Sequence, residues 1–229
     1  MSTRKALIAE VLAYSLALLP ILAGCGESPP VDTSLLTGEP CAPPCWQGLT
    51  PGVSTEEEVN EFVLTSELVD QSTLFRGKTT RASGEVVGET VQWWSTADMA
   101  NAPRQFGNRM HIVDGLLEHL TVFLDVDVTL EDLLERYGPP EKFTAWHEGV
   151  EVWYVKVTLY YPRDGFMTTL IIPPHDAQLR PESEVVTVWY FQRAPLEEFL
   201  ELSRDIGYPT VSDEVLQDWH GYGPIELRP

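Results

Sequence analysis

Histidine and carboxylate side chains are the groups in this chain best suited to proton transfer or cation binding, and their spacing serves neither task well. His147-Glu148 follows Trp146 in what reads as an exposed turn. The two could act as an acid–base pair, but no third group stands nearby to orient them. Asp125, Asp127 and Asp132 could take a cation, yet the segment lacks the glycine and terminal glutamate of a calcium loop. Strand-end and helix-start positions account for these acids better. Glu56-Glu57-Glu58 and Glu197-Glu198 open helices, where negative charge complements the dipole. No glycine-rich phosphate loop, H-E-x-x-H or G-x-S-x-G occurs. The expectation is a chain that binds and does not catalyse, with no cofactor and no metal.

The cysteines carry covalent chemistry. Residues 1–24 read as an export signal: Arg4 and Lys5 form a positive start, and an apolar run follows from Val11 to Ala23. That run falls short of the ~20 residues a spanning helix needs and is broken by Pro20. Leu22-Ala23-Gly24-Cys25 resembles a bacterial lipobox, which implies that Cys25 is acylated and becomes the first mature residue. The protein is then extracytoplasmic and held by lipid at the bacterial cell membrane. The alternative is ordinary secretory cleavage with Cys25 left free. Export places Cys41 and Cys45 in an oxidising compartment, so a small disulfide loop around Ala42-Pro43-Pro44 is expected. The C-x3-C spacing is not the C-x-x-C of redox proteins. Zinc would need two further ligands, and the five histidines show no paired ligand spacing.

Charge narrows the partners. The 229 residues include 15 basic and 35 acidic side chains, for a net charge of -20. Removing residues 1–24 takes away Arg4, Lys5 and Glu10, which makes the mature chain one unit more negative. Such a surface repels nucleic acid and anionic lipid, so nucleic acid is not an expected partner and acyl chains must do the anchoring. Residues 25–45 then comprise the lipidated cysteine, a tether and the small cysteine loop. Within them, residues 26–40 are rich in Gly, Pro, Ser and acid, a composition that reads as flexible linker spanning about 20 Å.

The elements that follow predict an α+β fold, an antiparallel sheet with helices packed on one face. Ser54-Thr55-Glu56-Glu57-Glu58 opens a helix, with Ser54 and Glu57 or Thr55 and Glu58 as a capping box and an apolar face of Val59, Phe62 and Val63. A second helix starts at Thr129 and ends at Gly138-Pro139-Pro140, and a third starts at Pro195. Strands are predicted over 89–95, 108–113, 116–124, 151–161, 165–172 and 184–191, with Arg163-Asp164-Gly165 as a hairpin turn. Residues 97–106 and 173–181 read as loops. Thr121-Val122-Phe123-Leu124 and Thr187-Val188-Trp189-Tyr190 each precede a helix at the same offset, which suggests a tandem repeat. Its units are 46–125 and 126–193, with 194–229 as a C-terminal helix and tail. Any two capped amphipathic helices share much of this likeness.

The glycine-rich lead, the Thr-x-Glu-Glu-Val helix start, Gly-Pro after a helix and the antiparallel strands together resemble the SmpA/BamE family of small envelope lipoproteins that help assemble membrane proteins. In its tandem form the pattern is similar to the beta-lactamase inhibitor protein family, which doubles such a unit and binds through a concave sheet. Pro44 to Gly52 also looks like a stretch found in uncharacterised bacterial lipoproteins. The resemblance implies an envelope protein–protein interaction or assembly module. It carries over no binding residue.

Alternation along the strands supplies a candidate surface. In 151–161, Trp153, Val155, Val157 and Leu159 share one face, while Tyr154, Lys156, Thr158 and Tyr160 share the other. Through the repeat, Trp189 and Phe123 join the second set. Tyr154, Lys156, Tyr160, Trp189 and Phe123 are thus the predicted binding face for an unidentified envelope protein. Either that face is open, or the tail 205–229 folds over it through Trp219-His220-Gly221-Tyr222-Gly223. A solute pocket in which Trp and Tyr stack on a ligand is the second expectation, and an enzyme centred on His147 the third.

Overall fold

The computed structural model describes residues 31–81, 83–94, 107–148, 154–205 and 215–227, apart from the side chains of 203 and 205. The expected signal peptide, Cys25, the 97–106 loop and Trp153 lie outside them. Among the described residues there are four α-helices: α1 (Ser34–Thr37), α2 (Glu56–Thr65), α3 (Leu130–Tyr137) and α4 (Leu196–Asp205). The strands are β1 (Phe75–Thr80), β2 (Val86–Trp93), β3 (Asn108–Val113), β4 (Leu116–Phe123), β5 (Lys142–Glu148), β6 (Tyr154–Tyr161), β7 (Phe166–Ile172), β8 (Gln178–Leu179), β9 (Val185–Phe191) and β10 (Gly223–Pro224). Eight strands form one sheet in the order β1-β2-β3-β4-β9-β7-β6-β5, and β8 pairs with β10 separately. Every pairing is antiparallel. The fold is α+β.

Local chemistry explains the helix starts. Thr55 accepts from the Glu58 amide while Glu58 accepts from the Thr55 amide, and Thr129 and Asp132 repeat the exchange. Each box satisfies two backbone donors that the helix leaves open, for about 1 kcal/mol. The acidic residues thus do structural work at these ends; hydrogen bonds to Thr129 hold Asp132 below its usual range. The β6–β7 hairpin turns at Gly165, whose φ of 77° favours glycine. A Cβ there would meet the Phe191 carbonyl at 2.7 Å.

The two sheet faces carry separate cores. On one, Val59 and Val63 of α2, Leu130 and Leu133 of α3 and Leu35 of α1 pack against Val91, Leu120, Val122, Val157, Leu159 and Val188. On the other, Phe199 and Leu200 of α4 pack against Tyr160, Met167 and Phe191. Three helices therefore cover the expected face and α4 covers the opposite one. At the sheet centre Val122 lies directly opposite Val188, and Thr121–Trp189 and Phe123–Thr187 flank that pair.

Three sequence expectations need correction. The tether does not run to residue 40: Asp32 and Leu35 are buried, and Asp32 accepts hydrogen bonds from the Trp46 indole, the Gln47 amide and the Ser34 backbone. Tyr137 and Arg136 donate to the carbonyls of Leu35 and Thr37, fastening α1 to α3. Residues 142–148 form β5, so His147 stands on a strand and not in a turn. The 173–181 loop holds β8; the edge strand β1 lies where no strand is predicted. The Cys41–Cys45 disulfide is present, at 2.05 Å between sulfurs.

Candidate functional site

Strand register gathers the predicted binding residues onto one sheet face. One row crosses it as Tyr160, Met167, Trp189 and Thr121. The next runs Thr144, Thr158, Thr169, Thr187 and Phe123 across five strands. A third sets Trp146, Lys156 and Ile171 side by side, and Tyr154 stands opposite Glu148 beyond it. Alternation alone puts all five predicted side chains on this face.

They do not share one environment. Tyr160 is fully buried under α4, so its placement on an open surface is corrected. Burial pushes its phenol up to about 12, because the phenolate has no water there. Trp189 is half-buried against the same cluster. Phe123 is half-buried at the row's end, its amide donating to Asn108 at 2.8 Å. Tyr154 and Lys156 keep contact with solvent, and the neighbouring Ile171 is 45% exposed. Lys156 sits 5.5 Å from the Trp146 ring centre and 3.1 Å from Glu148 Oε2. The ammonium is thus held between an aromatic face and a carboxylate, an arrangement that fixes a long side chain before any partner arrives. Burial, then the Glu148 charge, raises the Tyr154 phenol above its ordinary value.

The alternatives for the tail resolve differently from either expectation. Val215 and Leu216 join α4 over the aromatic face, while Trp219 packs with the other core. The tail crosses between them where Gln217 pairs with Phe143 of β5. The cover is α4 with Val215 and Leu216 of the tail, and not the Trp219–Gly223 segment.

Sequence reasoning missed a second constellation on this face. His111 and His119 stack with ring centres 4.1 Å apart. Asp114-Gly115 is a two-residue turn with positive φ at both positions, which would set His111 opposite residue 118. A register shift beyond His111 sets His119 there instead and places Glu118 beside it, its Oε2 3.4 Å from His119 Nδ1. Glu118 also accepts from Arg81 at 2.6 Å. Burial lowers His111 to about 2, helped by His119, Arg109 and Arg81. Burial lowers His119 also, against the opposing pull of Glu118. No cluster of three metal-binding side chains occurs among the described residues.

No family model, curated protein or solved structure matches this chain. The site is therefore read from its own chemistry. Among the described residues no helix is long and apolar enough to cross a membrane. Two clefts flank the β6–β7 turn: one of about 270 Å³ against Tyr137, Pro139 and Glu141, and a more open one of about 530 Å³ between Glu141, Arg163, Arg193 and Leu196.

Proposed function

We propose that this protein is a lipid-anchored, extracytoplasmic interaction module that holds an envelope protein on its aromatic sheet face, as the resemblance to SmpA/BamE lipoproteins suggests. The observation that carries the reading is the register: Tyr154, Lys156, Trp189 and Phe123 project from one face of a single sheet, with Lys156 already fixed by Trp146 and Glu148. Aromatic side chains are what interface centres favour, and a lysine already held in place lowers the ordering cost of a contact beside them. The opposed Val122–Val188 pair supports a doubled unit, with Thr121 and Thr187 equivalent across it.

Crosslinking in intact cells tests the face. The double variant Tyr154→Ala/Lys156→Ala should lose a stoichiometric partner by tenfold or more, as loss of two interface anchors predicts, with an unchanged melting curve. Undiminished capture would show that the partner sits elsewhere. The anchor is tested separately: Cys25→Ser should move the protein from the membrane to the soluble fraction, since no basic patch replaces the acyl chains.

A further inference from the structure

The proposed binding face is partly covered by the chain itself, and that cover rests on a file of stacked rings. Thr90, His111, His119 and Phe191 are register neighbours across β2, β3, β4 and β9. His111 stacks on His119 at 4.1 Å, His119 on Phe191 at 5.6 Å, and Phe191 meets Phe199 of α4 edge-on at 5.0 Å. A small cleft of about 80 Å³ beside His119 is closed by Gly52, Gln192 and Leu202 of α4. The core beneath α4 is separate from the main one, so the helix can leave without dismantling the sheet.

We propose that α4 is an acid-released cover: proton uptake by the His111–His119 pair undocks the helix and exposes Tyr160, Met167 and Phe191 to the partner. The partner's role rests on the reading of this face given above; the release does not need it. His119 is 1% exposed. An imidazolium there would lack water and lie beside a second histidine. The charged groups around the pair are Glu118 from β4, Arg109 from β3 and Arg81 beyond β1. From β9 and α4 the described cleft-lining residues are neutral: Phe191, Gln192 and Leu202. Glu118, the one carboxylate beside the pair among the described residues, shares itself between Arg81 at Oε1 and His119 at Oε2, and burial outweighs its pull on His119. With α4 docked, burial holds His119 below its ordinary value. Undocked, the ring meets water and returns toward ~6.5. The released state thus binds the extra proton. Docking is at full strength above about pH 6.5 and weakens below it, by up to about tenfold per pH unit.

Amide hydrogen exchange on the full chain in detergent, at pH 7.5 and 5.5 and corrected for intrinsic rates, tests the release. Protection of α4 should fall by up to about tenfold at the lower pH, while α2 and α3 keep theirs. His119→Phe, which preserves the stack, should make α4 protection insensitive to pH, and His111→Phe should reduce the response if His119→Phe does not fold. An unchanged α4 in the native chain would overturn the proposal, as would an equal response in both variants or joint loss across α2, α3 and α4. Release without any gain in partner capture would uphold the cover and count against the binding reading of the face.

Discussion

Gly88→Ala should lower the unfolding free energy by about 3 kcal/mol or more, the upper range for overpacking a well-filled site. Gly88 sits in β2 opposite Val113 of β3. A Cβ at this position would fall 1.8 Å from the Ile112 carbonyl oxygen. That atom is backbone, so no side-chain rotation relieves the contact and the two strands must part. Parting them also loosens Val91 and Trp93, which are fully buried in the main core. Gly77→Ala in the neighbouring β1 is the control. Its Cβ would meet the Phe75 ring at 3.0 Å, and Phe75 is 61% exposed and able to swing away. Urea denaturation of both variants should give a large midpoint shift for the first and a change within about 1 kcal/mol for the second. Equal midpoints would mean that the β2–β3 spacing is not as tight as described.

Asp32→Ala should cost about 3 kcal/mol. The carboxylate is buried and accepts from the Trp46 indole, the Gln47 side chain at 2.9 Å and the Ser34 amide at 2.9 Å. Hydrogen bonds to a charged group are worth about 1.5–3 kcal/mol, and truncation leaves a buried indole N–H without its acceptor. Trp46 itself is locked between Phe62 at 5.2 Å and Trp93 at 6.2 Å, so it cannot turn to find water cheaply. Asp32→Asn keeps an acceptor oxygen and should retain part of the stability. Thermal melts establish the size of the effect. Limited proteolysis shows its place, since cleavage should begin within residues 33–45 in the Ala variant. A variant that melts with the native chain would place the hold on this segment in Tyr137 and Arg136 instead.

How much of this was legible depended on whether the signal was local. Thr55 with Glu58 is a capping box whatever surrounds it. Arg163-Asp164-Gly165 is a turn because glycine accepts the backbone it needs, and β3 was predicted residue for residue. Where a strand's pattern was mixed, reading failed. In β1, Arg76, Gly77 and Lys78 erase the apolar alternation because the strand lies at the sheet edge. In β5, Phe143 and Ala145 face the core, but Trp146-His147-Glu148 looks like a turn until β6 pairs with it. The spacing of Leu196, Phe199 and Leu200 announces an amphipathic helix and is silent on which sheet face receives it. That choice decides Tyr160's burial. The His111–His119 stack depends on a one-residue register shift that no local pattern encodes.

The burial of Asp32 bears on the orientation that the proposed anchor would impose. With Cys25 acylated, seven peptide links join the lipid to Asp32, at most about 25 Å when fully extended. A link of that length would allow little lift. Leu35 packs with α2 and α3 on the face opposite the aromatic one. Under the proposed anchoring, the bilayer and the aromatic face would lie on opposite sides of one sheet. A partner embedded flat in the lipid would be screened by the protein's own body, whereas one projecting into the aqueous compartment would meet the aromatic face head-on.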